Sequence, residues 1–309
     1  MTRIFIDGSA GTTGLRIRER LAGRSDIELM TLDESRRKDP EARREMFHDG
    51  CDIAFLCLPD DAAREAVALA EGSGAILLDT STAHRTDPRF AYGFPELSGK
   101  HRETVRNARR IAVPGCHASG FIALVYPLVE AGLLSPDTRL VCHSLTGYSG
   151  GGKKMIAQYE DVTHDPLLAG PRQYGLTQEH KHLKEMVHVT GLTAKPVFCP
   201  IVADFYSGME VTVPLFAEDL KGAVADVKAV YAAKYAGPIV RYAEDADENG
   251  FFSAAALAGT DGMEITVAGN AERILLVARY DNLGKGASGA AVECLNLLLG
   301  VPETTGLEL

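Results

Sequence analysis

The sequence predicts an α/β fold in two parts, a parallel sheet covered by helices and then an α+β region whose sheet is largely antiparallel. Continuous apolar strands, such as residues 53–58 and 75–79, alternate with helical patterns in the first part, as is typical of a parallel sheet buried on both faces. Later strands, at residues 209–215 and 274–279, alternate in polarity, which indicates an antiparallel sheet with one solvated face. A chain of 309 residues with 46% hydrophobic content is long enough for two packed domains.

The chain opens with a strand, a glycine turn and a helix. Residues 4–6 are apolar, and Leu15, Ile17 and Leu21 mark the helix by their spacing. The turn has the spacing G-x-x-G-x-x-G, a variant of the Rossmann-type fingerprint in which bare backbone lets a pyrophosphate sit at a helix N-terminus. A tight turn without a ligand is the alternative, and the strand-turn-helix context favours the dinucleotide site. The predicted cofactor contacts in the turn are Gly8, Ser9, Gly11, Thr12, Thr13 and Gly14.

The second strand, residues 27–32, ends in a short charged segment. Ser35 with Arg36 or Arg37 is suited to bind a 2′-phosphate, which favours NADP over NAD. The acidic residues just before them, Asp33 and Glu34, are typical of an NAD site, so NAD stays an alternative cofactor. A run of charged residues that contacts only solvent is the competing interpretation. The fourth strand ends at residue 79 in a polar loop that carries Ser81 and Arg85. Because ligands of open α/β sheets bind at the carboxyl edge, this loop is a candidate for contacts with a cofactor or an anionic substrate, and a capped turn is the alternative.

Cys116 stands where an apolar strand meets a helix whose apolar residues recur from Phe121 to Val129. A thiol at a helix N-terminus is exposed to unpaired N–H groups and to the positive end of the helix dipole, and both favour the nucleophilic thiolate. A small, inert core residue is the alternative. Gly115 and Gly120 count against it, because they thin the side-chain cover around the thiol.

The second part of the chain contributes a glycine-rich loop at residues 147–154 and a His-x-His pair. An imidazole near Cys116 would take its proton and later protonate an oxygen, and we favour His180 over His182. The two side chains point in different directions on either a helix or a strand, so only one is expected to face Cys116. No third ligand at zinc spacing accompanies the pair, so we predict no metal site. A closing helix is predicted at residues 288–299, with Gly300 as its stop.

Composition narrows the class of partner. The net charge is -10 and no Lys/Arg run occurs, so nucleic acid is not an expected partner. No apolar run is long enough to span a bilayer, and the N-terminal residues do not resemble a secretion signal. The six cysteines are scattered without CxxC spacing, as expected for reduced thiols in a cytoplasmic enzyme.

Several motifs, in order along the whole chain, carry a resemblance to a known family. They are the turn at 8–14, the loop at 79–85, the turn at 92–97, residues 114–117, residues 149–153, His180 and His182 with Glu185, and residues 281–287. Together they resemble N-acetyl-γ-glutamyl-phosphate reductase in its shorter form, within the semialdehyde dehydrogenase superfamily. Two departures from the longer form occur, namely Lys153-Lys154 where Arg-Lys is usual, and Leu183 where a proline often follows the second histidine.

The resemblance implies NADPH-dependent reduction of an acyl phosphate, N-acetyl-γ-glutamyl phosphate, to the semialdehyde in arginine biosynthesis. It implies that Cys116 is the nucleophile, that a histidine of the His-x-His pair is the acid/base, and that the segment 282–287 closes over the cofactor. The implied domains are residues 1–116 with 284–309, which bind the dinucleotide, and residues 117–283, which carry catalysis and oligomerisation. Further expected cofactor contacts are Gly150 and Asn282, and expected substrate contacts are Arg85, Ser149, Lys153, Lys181 and Glu185.

Two other functions stay open at this stage. One is another acyl-phosphate or semialdehyde dehydrogenase, such as aspartate semialdehyde dehydrogenase, and the other is a noncatalytic NADP-binding regulator, because a fold does not determine function. A homodimer or homotetramer is expected, because most soluble enzymes of this kind are symmetric oligomers.

Overall fold

The computed structural model describes all residues, Met1 to Leu309, and they form two compact units. The first unit comprises Met1–Pro95, Gly99–Gly115 and Ala287–Leu307. The second comprises Glu96–Ser98, Cys116–Gly286 and Glu308–Leu309. No helix combines the length and the hydrophobicity that crossing a membrane requires.

The first unit is built on a six-stranded sheet that is parallel throughout, in the order β2-β1-β3-β4-β6-β5. Its strands are β1 (Thr2–Asp7), β2 (Ile27–Met30), β3 (Ile53–Leu56), β4 (Ile76–Asp79), β5 (Ala91–Tyr92) and β6 (Arg110–Ala112). Its helices are α1 (Thr12–Leu21), α2 (Pro40–Glu45), α3 (Asp60–Leu69), α4 (Gly99–Arg106) and α9 (Gly289–Leu299).

Both faces of this sheet are covered, which is why its strands read as continuous apolar runs. Ile4 and Ile6 of β1 pack in one core cluster with residues of α1 and α9, and Phe5, between them, packs in the opposite cluster with Phe47. The α/β prediction with a parallel, doubly covered sheet is therefore confirmed. Gly300 ends α9 in the left-handed conformation at φ +67°, as its position predicts.

The second unit contains a seven-stranded mixed sheet, in the order β11-β12-β13-β10-β7-β9-β8. Its strands are β7 (Val141–Gly147), β8 (Arg172–Gln173), β9 (Val197–Ala203), β10 (Met209–Phe216), β11 (Val240–Tyr242), β12 (Met263–Gly269) and β13 (Arg273–Tyr280). Its helices are α5 (Cys116–Glu130), α6 (Gly152–Glu160), α7 (His182–Thr190) and α8 (Val224–Lys234). The prediction of a largely antiparallel sheet holds, although β7 pairs with β9, and β11 with β12, in parallel.

The buried helix α5 covers one face of this sheet. Two tyrosines, one in α8 and one directly after it, form hydrogen bonds to its backbone. Pro127 lies inside α5 and has no N–H to donate to the carbonyl of Ala123 four residues earlier. The hydroxyl of Tyr235 donates to that carbonyl at 2.6 Å, and Tyr231 donates to the carbonyl of Leu124 at 2.5 Å. The backbone acceptor that the proline leaves without its usual partner is thus satisfied from the next layer.

The other face of the sheet is more exposed. In the central strands the residues between the buried ones share this face by register, because paired residues of neighbouring strands point to the same side. Pro214 pairs with Leu275, Phe216 with Arg273, and Val141 with Val197. Phe216 is 60% exposed and Val197 is 55% exposed, so apolar side chains lie open on this face.

Candidate active site

Cys116 is the first residue of α5, and its side chain is half-buried. The helix is 15 residues long, and Cys116 stands at the end where its first N–H groups and the positive end of its dipole lie. The environment of Cys51 is different, since burial and the charge of Asp52 raise the pKa of that thiol to about 12. Cys116 therefore combines partial access with a setting that favours the thiolate, as a nucleophile requires.

Tyr280, the last residue of β13, forms two hydrogen bonds to the first turn of α5. Its hydroxyl donates to the carbonyl of Cys116 at 2.5 Å and accepts the N–H of Gly120 at 3.0 Å. A Cβ on Gly120 would lie 2.7 Å from the Tyr280 hydroxyl, so glycine is what allows the phenol to approach. A Cβ on Gly286 would lie 3.1 Å from the Cβ of Cys116, so the segment after β13 also packs against this cysteine.

His117, the residue after Cys116, is buried in a polar network. Its Nδ1 lies 2.6 Å from the hydroxyl of Ser144, and its Nε2 lies 2.6 Å from the hydroxyl of Tyr174. Burial, with the charges of His180 and Lys181, lowers the pKa of His117 to about 3. The imidazole is thus neutral at neutral pH, and it donates one of these hydrogen bonds and accepts the other.

His180 and His182 both pack against His117. The ring centroids of His117 and His180 are 5.8 Å apart, those of His117 and His182 are 5.6 Å apart, and those of the pair itself are 4.8 Å apart. His180 is half-buried and accepts the N–H of His182 at its Nδ1, whereas the side chain of His182 is buried at the start of α7. Burial lowers the pKa of His180 to about 4, again with a contribution from Lys181. His180 is therefore half-buried and neutral at neutral pH.

The glycine-rich segment after β7 is fastened by Asn282. The side chain of Asn282 donates to the hydroxyl of Ser149 at 3.0 Å and accepts the N–H of Gly208 at 2.9 Å. A Cβ on Gly150 would lie 3.4 Å from the Asn282 amide nitrogen. Three residues expected at the cofactor or substrate, Ser149, Gly150 and Asn282, are therefore neighbours.

The remaining expected substrate contacts in the second unit differ in exposure. Lys153, in the first turn of α6, and Lys181, just before α7, are both exposed cations. Glu185 is buried one helical turn after His182, and its charge, with that of Cys116, adds to the burial that raises the pKa of Tyr280. No group of three or more His, Cys, Asp or Glu side chains is placed to hold a metal ion.

The glycine turn of the first unit depends on the absence of side chains. Gly8 has φ +88°, and a Cβ there would lie 2.2 Å from the carbonyl oxygen of Cys57. A Cβ on Gly14 would lie 2.6 Å from the carbonyl oxygen of Gly8. The turn leads into α1, so bare backbone and a helix N-terminus coincide, as a pyrophosphate site requires.

A cavity of about 580 Å³ opens beside this turn. It is lined by Gly8 to Gly11, by residues 29–32 at the end of β2, and by Arg18, Arg37 and Lys38 among others. Ser35 and Arg36 do not line it, and the Arg36 guanidinium makes ion pairs with Asp39 and Glu45. Glu34 also lines the cavity and lies 3.4 Å from the guanidinium of Arg37. Since the cavity joins a glycine turn at a helix N-terminus to three cations and one carboxylate, the residues present fit a dinucleotide.

The loop after β4 is held together by its own polar groups. The hydroxyl of Ser81 donates to Asp79 at 2.8 Å, and the guanidinium of Arg85 donates to the carbonyls of Val113 and Thr80 at 2.9 Å each. Arg85 is only 8% exposed. These contacts give both residues a role in shaping the carboxyl edge of the sheet.

Comparison with known proteins identifies the family. Residues 3–107 match the family model described as "Semialdehyde dehydrogenase, NAD binding domain", and residues 116–282 match "Semialdehyde dehydrogenase, dimerisation domain". An N-acetyl-gamma-glutamyl-phosphate reductase from Brucella ovis is 47% identical over 307 residues, which span 96% of this chain and 99% of that protein. Reductases of the same name from Brucella canis and Brucella abortus have the same identity and coverage. The chain belongs to the N-acetyl-γ-glutamyl-phosphate reductase family.

The N-acetyl-γ-glutamyl-phosphate reductase family shares its fold with more distant enzymes. Aspartate semialdehyde dehydrogenase II from Vibrio cholerae has a TM-score of 0.71 at 17% identity, covering 97% of this chain and 98% of that one. Aspartate semialdehyde dehydrogenase from Francisella tularensis has a TM-score of 0.72 at 12% identity, covering 97% of this chain and all of that one. At such identities the likeness shows the fold alone.

In this member of the reductase family, sequence reasoning missed three residues that lie around Cys116. His117, Tyr174 and Tyr280 come from a helix, from the residue after β8 and from the last strand of the sheet. Only His117 had a local signal, its place beside Cys116. Strand pairing across long sequence separations brings the other two to the surroundings of Cys116.

Proposed function

We propose that this chain catalyses the NADPH-dependent reduction of N-acetyl-γ-glutamyl phosphate to N-acetylglutamate 5-semialdehyde and phosphate, a step of arginine biosynthesis. The observation that carries the proposal is the position of Cys116 at the start of α5, directly before His117, against whose ring the rings of His180 and His182 pack. In this proposal the first unit binds the dinucleotide, and the second carries catalysis and self-association.

The first half of the proposed reaction transfers the acyl group to sulfur. Neutral His180 takes the proton of Cys116, and the thiolate attacks the γ-acyl carbon of the substrate. A C–S bond forms and the acyl–phosphate bond breaks, so that phosphate leaves and takes the proton from His180. N–H groups in the first turn of α5 are placed to stabilise the tetrahedral oxyanion, which is worth roughly 3–4 kcal/mol for each well-aligned donor.

The second half reduces the thioester. When bound, the reduced dinucleotide supplies the hydride that converts the acyl carbon to a tetrahedral thiohemiacetal. The C–S bond then breaks, the oxygen becomes the aldehyde carbonyl, and Cys116 leaves as thiolate and recovers its proton from solvent. Each of these steps has a smaller barrier than direct displacement of phosphate by hydride would have.

The cofactor preference proposed here is for NADP. Arg18, Arg37 and Lys38 line the cavity beside the glycine turn, and a 2′-phosphate is recognised by such cations. We propose that Arg37 and Lys38 meet this phosphate, and that Ser35 and Arg36 support the loop that carries them. Ser81 supports the adjacent sheet edge, while Gly150 and Asn282 shape the segment that the family resemblance assigns to the cofactor.

For the substrate, the exposed ammonium groups of Lys153 and Lys181 are proposed to attract the acyl phosphate. Ser149 is proposed to donate to it from its hydrogen-bonded position beside Asn282. Glu185 is proposed to orient the His-x-His segment, and Arg85 to shape the sheet edge.

A steady-state assay tests the function. Wild-type protein is expected to reduce NADP⁺ when given N-acetylglutamate 5-semialdehyde and phosphate together, and to do so far less with aspartate semialdehyde. Cys116→Ser is expected to lower turnover by about a thousandfold or more while NADP still binds, because a neutral hydroxyl is a poor nucleophile. Cys51→Ala is the matched control and retains turnover. Unchanged activity in Cys116→Ser would refute the mechanism, and equal rates with both aldehydes would refute the substrate assignment.

We also propose that the chain forms a homodimer, or a homotetramer built from that dimer, through the open face of the second unit's sheet. Phe216, Leu275 and Val197 expose apolar surface there, which a second copy would bury. Light scattering of Leu275→Asp is expected to show dissociation relative to wild type. All six cysteines are free, and a thiolate enzyme needs reducing conditions, so we propose the cytoplasm as its location.

A further inference from the structure

Arg172 is a cation without an acidic partner at its guanidinium. Its Nε is buried and has no hydrogen-bond partner, and its terminal nitrogen donates to the hydroxyl of Tyr159 at 2.8 Å. The guanidinium carbon lies 5.3 Å from the centre of the Tyr159 ring, in cation–π contact. By contrast, the guanidinium groups of Arg241 and Arg279, in the same unit, pair with the carboxylate of Glu264.

Aromatic side chains form the surroundings of Arg172. Tyr159 stacks on Tyr148, with ring centroids 4.7 Å apart, and Tyr148 directly precedes Ser149 in the glycine-rich segment. Tyr159 forms a small core cluster with Leu168 and Val202, against which Tyr174 also packs. Glu160 and Asp204 lie near the hydroxyl of Tyr148, but neither pairs with Arg172. A guanidinium with no ion-paired carboxylate retains its attraction for an anion.

The register of β8 places Arg172 on the same face as Tyr174. Arg172 pairs with Val202, which is buried, whereas Gln173 pairs with Ile201 and is exposed. The N–H of Tyr174 continues the ladder by donating to the carbonyl of Pro200 at 3.0 Å. The Cα atoms of Arg172 and Tyr174 are therefore about 7 Å apart along one face of an extended segment.

Tyr174 connects this region to the residue next to Cys116. Its hydroxyl lies 2.6 Å from Nε2 of His117, the residue after Cys116. Burial raises the pKa of Tyr174, and the charge of Cys116 adds to this effect. The path from Cys116 through His117 and Tyr174 to Arg172 thus follows one wall of the second unit.

We propose that Arg172 binds the α-carboxylate of the substrate and makes the enzyme specific for an aldehyde or acyl phosphate that carries one. The inference rests on the proposed function, because in that substrate three carbon atoms separate the carboxylate carbon from the reacting acyl carbon. A planar guanidinium offers two parallel donors to a carboxylate, whereas the ammonium groups of Lys153 and Lys181 act as point charges better suited to phosphate. Tyr159 holds the guanidinium in position from behind.

A pair of aldehydes tests the proposal in the oxidative direction, with phosphate and NADP⁺ present. N-acetylglutamate 5-semialdehyde carries the α-carboxylate, and 4-acetamidobutanal is the same molecule without it. Arg172→Met is expected to lower kcat/KM for the first about a hundredfold and to change kcat/KM for the second less than about threefold. Arg172→Lys is expected to recover part of the loss, because it keeps the charge but not the paired donors. Arg139→Met, which removes an exposed arginine of the same unit, is the matched control and should affect neither aldehyde.

The outcomes separate this inference from the proposed function. If wild-type protein oxidises neither aldehyde, the proposed function has failed. If wild type is active and Arg172→Met slows both aldehydes equally or slows neither, the assignment of Arg172 is overturned. If instead Lys153→Met or Lys181→Met lowers kcat/KM only for the aldehyde with the carboxylate, that lysine binds the carboxylate, and the assignment of Arg172 is overturned as well. If Arg172→Met has a much lower Tm than wild type, Arg172→Lys replaces it in the test. A fall in kcat/KM for the first aldehyde relative to the second then supports the assignment, and an unchanged ratio overturns it.

Discussion

The hydroxyl of Tyr280 donates to the carbonyl of Cys116 and accepts the N–H of Gly120, four residues further along α5. These two groups are four residues apart, the spacing of a backbone hydrogen-bonded pair in a regular α-helix, so the phenol bridges the first turn of α5. A side chain from β13 therefore supports the turn that carries Cys116, and the phenol helps to set the orientation of that turn.

Tyr280→Phe is expected to remove both bonds to this turn, while the helix keeps its own backbone pairing. The free energy of unfolding should therefore fall by only about 1 kcal/mol. The shift of Cys116 should lower kcat by about tenfold or more, because small misplacements of a reacting group are costly. Urea unfolding and the alkylation rate of Cys116, followed by peptide mass spectrometry, measure the two effects. Tyr242→Phe, which removes an exposed hydroxyl, is the control. A large loss of stability with unchanged alkylation would contradict this account of Tyr280.

The imidazole cluster predicts how stability depends on pH. The folded-state pKa values of His117 and His180 are lowered to about 3 and about 4 from an ordinary value of 6.5. Above pH 6.5 both histidines are neutral in the folded and the unfolded chain, so they contribute no pH dependence. Below pH 6.5 the two histidines bind protons in the unfolded chain but not in the folded chain. The free energy of unfolding should therefore fall as the pH drops toward 4. Thermal melting from pH 7 to pH 4 measures this slope.

His180→Gln is the informative variant in that experiment. It should flatten part of the slope between pH 6.5 and pH 4, because one of the two groups that resist protonation is gone. A slope identical to that of the wild type would show that His180 titrates normally in the folded state. The same variant should slow acylation of Cys116 at neutral pH, since the proposed proton acceptor is absent.

The cations at the cofactor cavity predict a change in cofactor preference. The double variant Arg37→Ala with Lys38→Ala should raise KM for NADPH by about tenfold or more and leave KM for NADH nearly unchanged, because only NADPH carries the 2′-phosphate. Arg36→Ala is the matched control, since Arg36 pairs with Asp39 and Glu45 and does not line the cavity. The assignment fails if Arg36→Ala has the larger effect on NADPH.

The glycine turn makes a prediction about backbone strain. Gly8→Ala should lower the free energy of unfolding by more than about 2 kcal/mol and abolish dinucleotide binding, because its Cβ would collide with the carbonyl of Cys57. Gly72 has a similar positive φ of +78° but open space around it, so Gly72→Ala isolates the cost of φ alone, about 1 kcal/mol. Equal losses in the two variants would mean that the contact with Cys57 is unimportant. Chemical denaturation and a dinucleotide titration provide the measurements.

Local patterns predicted the first unit well. Its strands are apolar on both faces and its turn is built from glycines, so neighbouring residues carry enough information to identify them. For the charged segment after β2, neighbouring residues in the sequence do not identify the side chains that line the cavity. Residues 35–38 all carried a suitable side chain, and only the folded loop shows that Arg37 and Lys38, but not Arg36, line the cavity.

The sequence by itself determined the two sheet types, the glycine turn and the position of Cys116 at a helix N-terminus, because each follows from residues close together in the chain. The tertiary structure alone decided the surroundings of that cysteine. Tyr280, Tyr174 and the His-x-His pair reach Cys116 and His117 from 57 or more residues away. Strand register and helix packing set those contacts, and both depend on the burial of the whole core, which no local pattern of residues encodes.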